Sequence, residues 1–197
     1  MSYREAIIDA ATHLYAERGF KDASVAELSK LTGAAEGTIF HHFKNKDDLL
    51  ISVLERIHDE IVPQVEQFVD DAEIADGLSL VEGVIMLFFR LSEENPVAFQ
   101  LLFRTYPHQL ASVNPTCRTH LEAIYDAFLE AFVIGIERGQ GDGSIRPCSA
   151  PVEALVILAM LTGLVRFKSF ELWSSMRHYL EARDFCVRAL ATEGRSA

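Results

Sequence analysis

The stretch Thr32–Lys46 constrains the fold more than any other part of this sequence. It contains a glycine, then a short run that favours a helix, then a polar stop before a long apolar pattern. So short a helix is unstable alone, because nucleation is costly and few hydrogen bonds offset it. We therefore expect neighbouring helices to hold it through Ile39 and Phe43, at helical i, i+4 spacing. Its other face carries small residues, a threonine and two histidines, with lysines close by, which suits contact with a phosphate backbone.

Start and stop signals predict two further helices before this stretch. Ser2 with Glu5 is a capping box, and Gly19 is placed to end the helix that they begin. Ser24 with Glu27 is a second capping box, which begins a short helix. The apolar side chains of that short helix that we expect to face inward are Val25, Leu28 and Leu31. Two short helices joined by a glycine-containing turn, beside a longer first helix, are typical of a helix-turn-helix.

The rest of the chain also has the apolar spacing of helices, so the predicted fold is all-α. Asn45 is expected to cap a fourth helix, which Pro63 then kinks or ends. A fifth helix is predicted over residues 80–91, and the breakers within residues 139–147 predict a loop. A helix that is apolar almost all round follows Ser149, and such a helix must be covered on every side.

Bulk properties limit the alternatives. The 197-residue chain is 49% hydrophobic and carries a formal net charge of −11, whereas DNA-binding surfaces are usually basic. Residues 1–50 hold six Lys or Arg and eight Asp or Glu, so only the local arrangement of charge supports DNA binding. The sequence has no long uninterrupted apolar run and no apolar signal region at its start, so we expect a cytoplasmic protein that does not enter a membrane.

Several segments resemble the tetracycline-repressor (TetR) family of bacterial regulators. They are Arg4–Ala11, Ala16–Phe20, Ser24-Val25 and Gly37–Leu49. The resemblance is specific in the N-terminal part of the chain, and the remainder matches only in overall plan. It implies an N-terminal three-helix helix-turn-helix DNA-binding domain, residues 1–46, and a larger helical ligand-binding and dimerisation domain, residues 47–197. It also implies a homodimer that regulates transcription, most often a repressor released from operator DNA by a small molecule.

The resemblance also assigns roles around the short helix. The start of this helix faces the bases, and its later part and the start of the next helix face phosphates. Ser24 and Lys46 lie at predicted helix N-termini, where exposed N–H groups and the helix dipole favour an anion. The base-facing candidates are Ala35, Glu36, Gly37 and His41, and the phosphate-side candidates are Ser24, Thr38, Phe40, His42, Lys44 and Lys46.

Three positions depart from the family pattern. Ala35 stands where serine is common, so the helix lacks a capping side chain. Glu36 stands where lysine is common, and it either accepts a hydrogen bond from a cytosine amino group or points into solvent. Phe40 replaces a tyrosine and lacks its hydroxyl, so it either contacts a thymine methyl group or only packs.

Other chemistry is not favoured. His41 and His42 are adjacent, so on a helix their side chains diverge and do not form a metal-ligand pair. We expect no metal and no cofactor. The spacing of Cys117, Cys148 and Cys186 does not indicate a zinc site or a disulfide framework, although a thiol-based redox regulator is one alternative. We find no Ser/His/Asp or Cys/His constellation and do not expect an enzyme; a helical carrier or enzyme for hydrophobic molecules is the other alternative.

Two sets of residues in the larger domain are candidates for binding. The first set consists of aromatic side chains, which either line a cavity for a largely apolar effector, such as an acyl or aromatic acid, or only form the core. These are Phe88, Phe89, Phe99, Phe103, Tyr106, Tyr125, Phe128, Phe132, Phe167 and Trp173. The second set combines apolar side chains with two small residues, Ala159 and Gly163, that allow close helix approach, and it suits a two-fold symmetric dimer interface. These are Val152, Leu155, Ala159, Gly163 and Phe185.

Overall fold

Ten helices make up the described part of the chain, residues 2–70, 74–172 and 176–192 of a computed structural model. Within these residues there is no β-strand, only an isolated bridge between Ile145 and Ala191. The all-α prediction is confirmed. The helices are α1 (Tyr3–Arg18), α2 (Val25–Thr32), α3 (Glu36–His42), α4 (Lys46–Val69), α5 (Gly77–Glu94), α6 (Pro96–Leu102), α7 (Thr105–Ala111), α8 (Pro115–Asp142), α9 (Ala150–Ser169) and α10 (Met176–Leu190).

The N-terminal caps of the first two helices differ. In α1 the Ser2 hydroxyl accepts from the Glu5 N–H at 3.3 Å, and the Glu5 carboxylate accepts from the Ser2 N–H at 2.8 Å, which confirms the predicted capping box. In α2 the Ser24 hydroxyl accepts from the Glu27 N–H at 3.1 Å. The Glu27 carboxylate, however, bonds to the Arg18 guanidinium. The second capping box is therefore only half formed, because a charged donor competes for a carboxylate better than a backbone N–H does.

The chain divides into two compact units. The first comprises residues 1–60 and 95–124, and the second comprises residues 61–94 and 125–197. In the first unit α1 packs against α2, α3 and α6, and in the second unit α5 packs against α9 and α10. Helices α4 and α8 contribute residues to both units. A functional boundary after residue 46 therefore stays a prediction, since compactness divides the chain elsewhere.

In the second unit, glycines allow α5 to approach α8 closely. A Cβ atom built on Gly77 would lie 2.0 Å from the Gly139 nitrogen, so the two backbones are in contact. The Asp142 carboxylate also accepts from the Gly77 N–H at 2.8 Å. The loop predicted over residues 139–147 is wrong in its first part, because α8 continues to Asp142. Gly139 serves close packing there and does not make a turn.

Three other expectations have mixed outcomes. Asn45 caps α4 as predicted, since its side chain accepts from the Asp48 N–H at 2.8 Å. Pro63 does not end α4, which continues to Val69. The inward orientation expected of Leu31 is wrong, because this side chain is 63% exposed, whereas Leu28 is fully buried. The reason is that α2 packs mainly against its neighbours α1 and α3, so it buries a narrow face.

Helix α9 has a buried and an exposed apolar face. The buried face carries Ala154, Ile157, Leu158, Leu161 and Val165. On the exposed face, Val152, Leu155 and Val156 are 58–59% exposed. By length and composition alone, α9 is the one described helix that is apolar enough to cross a membrane, with a mean hydropathy of 1.8 in a window that is 33% buried. An exposed apolar face of this size indicates an interaction surface.

Alanine substitutions at two glycines should have opposite effects on stability. Gly77→Ala places a methyl group against the Gly139 backbone, so it should lower the free energy of unfolding by at least about 1–3 kcal/mol. Gly141 also lies in α8, but a Cβ atom there meets nothing within 4 Å. Gly141→Ala should therefore raise the free energy of unfolding by about 0.5–1 kcal/mol. Urea denaturation measures both, and equal effects would contradict the close approach of α5 and α8.

Candidate nucleic-acid interface

A left-handed glycine makes the turn between α2 and α3. Gly33 has φ 69° and ψ 1°, a conformation that glycine adopts without strain. Its N–H donates to the Ser29 carbonyl at 2.9 Å, which closes the C-terminus of α2. The Thr32 hydroxyl donates to the Leu28 carbonyl at 2.7 Å and accepts from the Ala34 N–H at 3.3 Å. The turn is thus fixed by hydrogen bonds on both sides of the glycine.

Helix α3 has seven residues and no capping side chain. Ala35 at its N-cap has an extended backbone and makes no side-chain hydrogen bond, as predicted. The Ala35 carbonyl accepts from the N–H groups of Thr38 and Ile39 at 2.8 and 3.2 Å. Ile39 and the following Phe43 are each 2% exposed, so the expected inward face is confirmed. Burial of these two side chains holds α3 against α1 and α2.

The opposite face of α3 is open to solvent. The base-facing candidates Ala35, Glu36, Gly37 and His41 are all exposed. Phe40 is 50% exposed, so its ring is accessible to a DNA groove, and His42 is exposed as well. The rings of His41 and His42 lie edge to face with centroids 5.5 Å apart. Their roles on DNA stay predictions, but the structure leaves each of them accessible.

The phosphate-side candidates differ in accessibility. Ser24 and Lys44 are exposed, Thr38 is half-buried, and the Lys44 N–H is bound by the Asp48 carboxylate at 3.0 Å. Lys46 is not free: its Nζ donates to the Phe20 carbonyl at 2.6 Å and lies 4.4 Å from the centroid of the Phe20 ring. Burial lowers the pKa of Lys46, although Asp47 and Asp22 oppose this effect. A phosphate contact by Lys46 therefore stays a prediction.

One cation beside α3 escapes prediction from the sequence. The Arg4 guanidinium lies 5.7 Å from the centroid of the Phe43 ring, which follows directly on α3. It also contacts Glu55 at 3.9 Å and donates to the Ser52 hydroxyl at 3.4 Å. From helical periodicity alone, Arg4 is predicted to be a solvated residue in the first turn of α1. Only the fold brings its charge to the end of α3.

No group of three or more His, Cys, Asp or Glu in the described ranges could hold a metal ion. Burial raises the pKa of Cys117 and of Cys186 to about 11, which keeps both thiols protonated near neutral pH. Cys148 is half-buried, and its sulfur lies 3.4 Å from the Gln140 amide nitrogen. These positions do not favour redox chemistry at the buried thiols.

The aromatic ligand candidates belong to both units. In the first unit, Phe99 and Phe103 are buried and contact each other edge to face, with centroids 6.3 Å apart. Tyr106 is half-buried, and its hydroxyl donates to the Asp47 carboxylate at 2.9 Å. Trp173 lies outside the described residues.

In the second unit, Phe88 and Phe128 are buried with ring centroids 4.9 Å apart, and Phe132 is fully buried. Burial raises the pKa of Tyr125 to about 12. Phe167 is 45% exposed and lies on α9 with the exposed apolar face. Lining of a ligand cavity by any of these side chains stays a prediction.

A glycine turn, a short supported helix and an open polar face next to it define a DNA-binding protein of the helix-turn-helix class. A family model for "Bacterial regulatory proteins, tetR family" matches residues 7–53. The chain therefore carries the N-terminal DNA-binding domain of the TetR family of bacterial regulators, and relatives that match along more of its length are transcriptional regulators of the same kind. The matched proteins are regulators and are not named as enzymes.

Two relatives and one solved structure illustrate the similarity. The fatty acid metabolism regulator protein of Bacillus subtilis is 37% identical over 76 residues, which is 38% of this chain and only 39% of that protein. The transcriptional repressor KstR2 of Rhodococcus jostii is 24% identical over 143 residues, 73% of this chain and 68% of that protein. The regulator FadR from Bacillus subtilis, solved with stearoyl-CoA, has a TM-score of 0.74 at 22% identity, covering 93% of this chain and 97% of that one.

Substitutions at Lys44 and Lys46 should distinguish a lysine that contacts DNA from one that stabilises the fold. Lys44→Gln should reduce the slope of log Kd against log salt by about 0.9 for each phosphate that is no longer neutralised, with no loss of stability, because Lys44 is exposed. Lys46→Gln should lower the melting temperature, because the Phe20 carbonyl loses a charged donor. Fluorescence anisotropy with duplex DNA and thermal denaturation measure the two effects. An unchanged salt slope in Lys44→Gln would remove Lys44 from the interface.

Proposed function

We propose that this protein is a homodimeric, cytoplasmic repressor that binds operator DNA through α3 and leaves it when a largely apolar small molecule binds. The observation that carries the proposal is the open face of α3 within the region that matches the family. Its exposed residues are small, hydrogen-bonding or basic, apart from Glu36 and Phe40. A carboxylate there is repelled by phosphates, so Glu36 fits the interface best as an acceptor for a cytosine amino group.

The composition of the core supports an apolar effector. Phe88, Phe128 and Phe132 are buried in the second unit, and Phe99 and Phe103 are buried in the first. The relatives support the same class: one is named a fatty acid metabolism regulator, and the similar FadR structure contains stearoyl-CoA. We therefore place fatty acyl compounds first among the effectors to test.

The exposed apolar faces of α9 and α10 support dimerisation. Val152, Leu155 and Ala159 lie along one face of α9, with half-buried Gly163 one turn further. Phe185 on α10 is 59% exposed, and α9 and α10 pack against each other. Two such pairs of helices, one from each protomer, would cover both faces and give the two-fold symmetry that palindromic half-sites require. Coverage by a second protomer also explains why α9 has an exposed apolar face, without requiring that the helix enter a membrane.

The proposed function is tested by selecting duplex sequences that bind the purified protein and then titrating the complex. The wild type should enrich a palindromic sequence, and stearoyl-CoA should release it, whereas free CoA, which lacks the apolar chain, should not. The double substitution Thr38→Ala with His41→Ala should abolish operator binding without changing the oligomeric state, because both side chains lie on the reading helix. Failure to enrich any sequence at low salt would contradict the proposal.

A charge on the α9 face should break the dimer. Leu155→Glu places a carboxylate at the centre of the proposed interface, so the protein should become monomeric and lose operator affinity. Val113 is 79% exposed and lies in the first unit, so Val113→Glu is a matched control that should leave the dimer intact. Sedimentation velocity measures the mass of both variants. If the Leu155→Glu protein remained dimeric, this face of α9 would not be the dimer interface.

A further inference from the structure

Two side chains from elsewhere in the first unit hold the end of α1 and the connection that follows it. Arg104 donates from Nε to the Ala16 carbonyl at 2.9 Å and from Nη2 to the Glu17 carbonyl at 2.8 Å. Carbonyls in the last turn of a helix have no N–H partners within the helix, so Arg104 supplies hydrogen-bond donors to two of them. In the connection after α1, Lys46 donates to the Phe20 carbonyl at 2.6 Å.

Tyr106 joins this connection to the start of α4. Its ring is stacked on the Phe20 ring, with centroids 3.8 Å apart and an interplanar angle of 6°. Its hydroxyl donates to the Asp47 carboxylate at 2.9 Å. Asp47 is the neighbour of Lys46 in the first turn of α4, and Phe20 also contacts the buried Tyr15 ring at 5.2 Å. Tyr106 therefore contacts both segments that flank the α2–α3 pair in the sequence.

Phe20, Lys46, Asp47 and Tyr106 are connected by these contacts, and Arg104 binds the end of α1 just before Phe20; the five residues are here called the clasp. Burial and the hydrogen bond to Asp47 raise the pKa of Tyr106, so its hydroxyl remains a donor at neutral pH. Stacked aromatic rings and a hydrogen bond to a charged group each fix an orientation as well as a distance. Such a cluster fixes the position of the segment that precedes α2 and of the segment that follows α3.

We propose that Tyr106 and Arg104 are positioning residues for operator recognition: they hold the α1–α2 connection and thereby set the placement of α2 and α3 on DNA. The proposal rests on the proposed function. Helix α3 has no capping side chain and packs against α1 and α2, so a displacement of α2 carries α3 with it. Base contacts need this placement to within a hydrogen-bond length, whereas the attraction of cations to phosphates is long-range and depends on it much less.

The clasp therefore predicts a loss of specificity rather than a general loss of DNA binding. Tyr106→Leu removes both the stack and the hydroxyl. It should raise Kd for the selected operator about tenfold, which is the size of the effect of one mismatched base pair. Its Kd for a scrambled duplex of equal length and the salt slope of that binding should stay at the wild-type values. A side chain that only stabilises the fold would lower the melting temperature and leave the ratio of the two Kd values unchanged.

A double-mutant cycle tests the hydrogen bond without disturbing the stack. Tyr106→Phe keeps the ring, so it should cause a smaller loss of operator specificity than Tyr106→Leu. Asp47→Ala should add nothing to that loss in the Tyr106→Phe background, because both substitutions remove the same hydrogen bond. If Tyr106→Leu does not fold, this cycle still tests the proposal, because it does not use that variant. The matched control is Tyr179→Phe, which removes a hydroxyl from a buried tyrosine of α10 and should leave both Kd values unchanged.

Three results from the variants would overturn the clasp. The first is an unchanged Kd for the operator in Tyr106→Leu, and the second is an equal rise of Kd for operator and scrambled duplex in that variant. The third is additive losses in the Tyr106→Phe and Asp47→Ala cycle. The proposed function fails in a different way, since a wild-type protein that enriches no sequence contradicts it, and the clasp with it. An operator that wild type and Tyr106→Leu bind alike contradicts the clasp alone.

Discussion

Helix α3 depends on the burial of Ile39 and Phe43. With seven residues and no capping side chain, it has too few internal hydrogen bonds to be stable by itself. Fully burying a side chain of this size contributes about 1.5–3 kcal/mol, so these two residues decide whether the segment is a helix. The same burial leaves the polar groups of the opposite face accessible to DNA. The glycine turn and the clasp then determine where that face points.

The charge of the chain sets a limit on how DNA can be bound. A formal net charge of −11 opposes any polyanion, and only a few cations lie near α3. Lys44 is exposed there, and Arg4 lies over the ring that follows the helix. Affinity that comes from phosphates alone is therefore small, and binding must draw on contacts to bases. From this charge we expect weak binding to random DNA, which makes the placement of α3 more important.

Local signals in the sequence are enough to predict the all-α fold, the glycine turn, the caps at Ser2 and Asn45, and the inward face of α3. The errors at Glu27, Leu31 and Gly139 have a common cause. Each depends on a partner that local periodicity does not reveal: the Arg18 guanidinium, the narrow packing face of α2, and the Gly77 backbone.

The same distinction holds at the DNA-binding site. Exposure of the α3 candidates follows from the position of its two buried residues, so it can be predicted from the sequence. The partners of Lys46 and Tyr106 cannot be predicted in this way, because Phe20 and Asp47 meet them only after the chain has folded back on itself.

Pro63 has a mechanical consequence for α4. A proline has no N–H, so the Asp59 carbonyl one turn earlier has no partner in the hydrogen-bond ladder of the helix. This gap lies next to residues 60 and 61, where α4 passes from the first compact unit to the second. The bending stiffness of a helix comes from that ladder, so α4 is most compliant at this point. A bend in α4 would therefore cost the least free energy within this single turn.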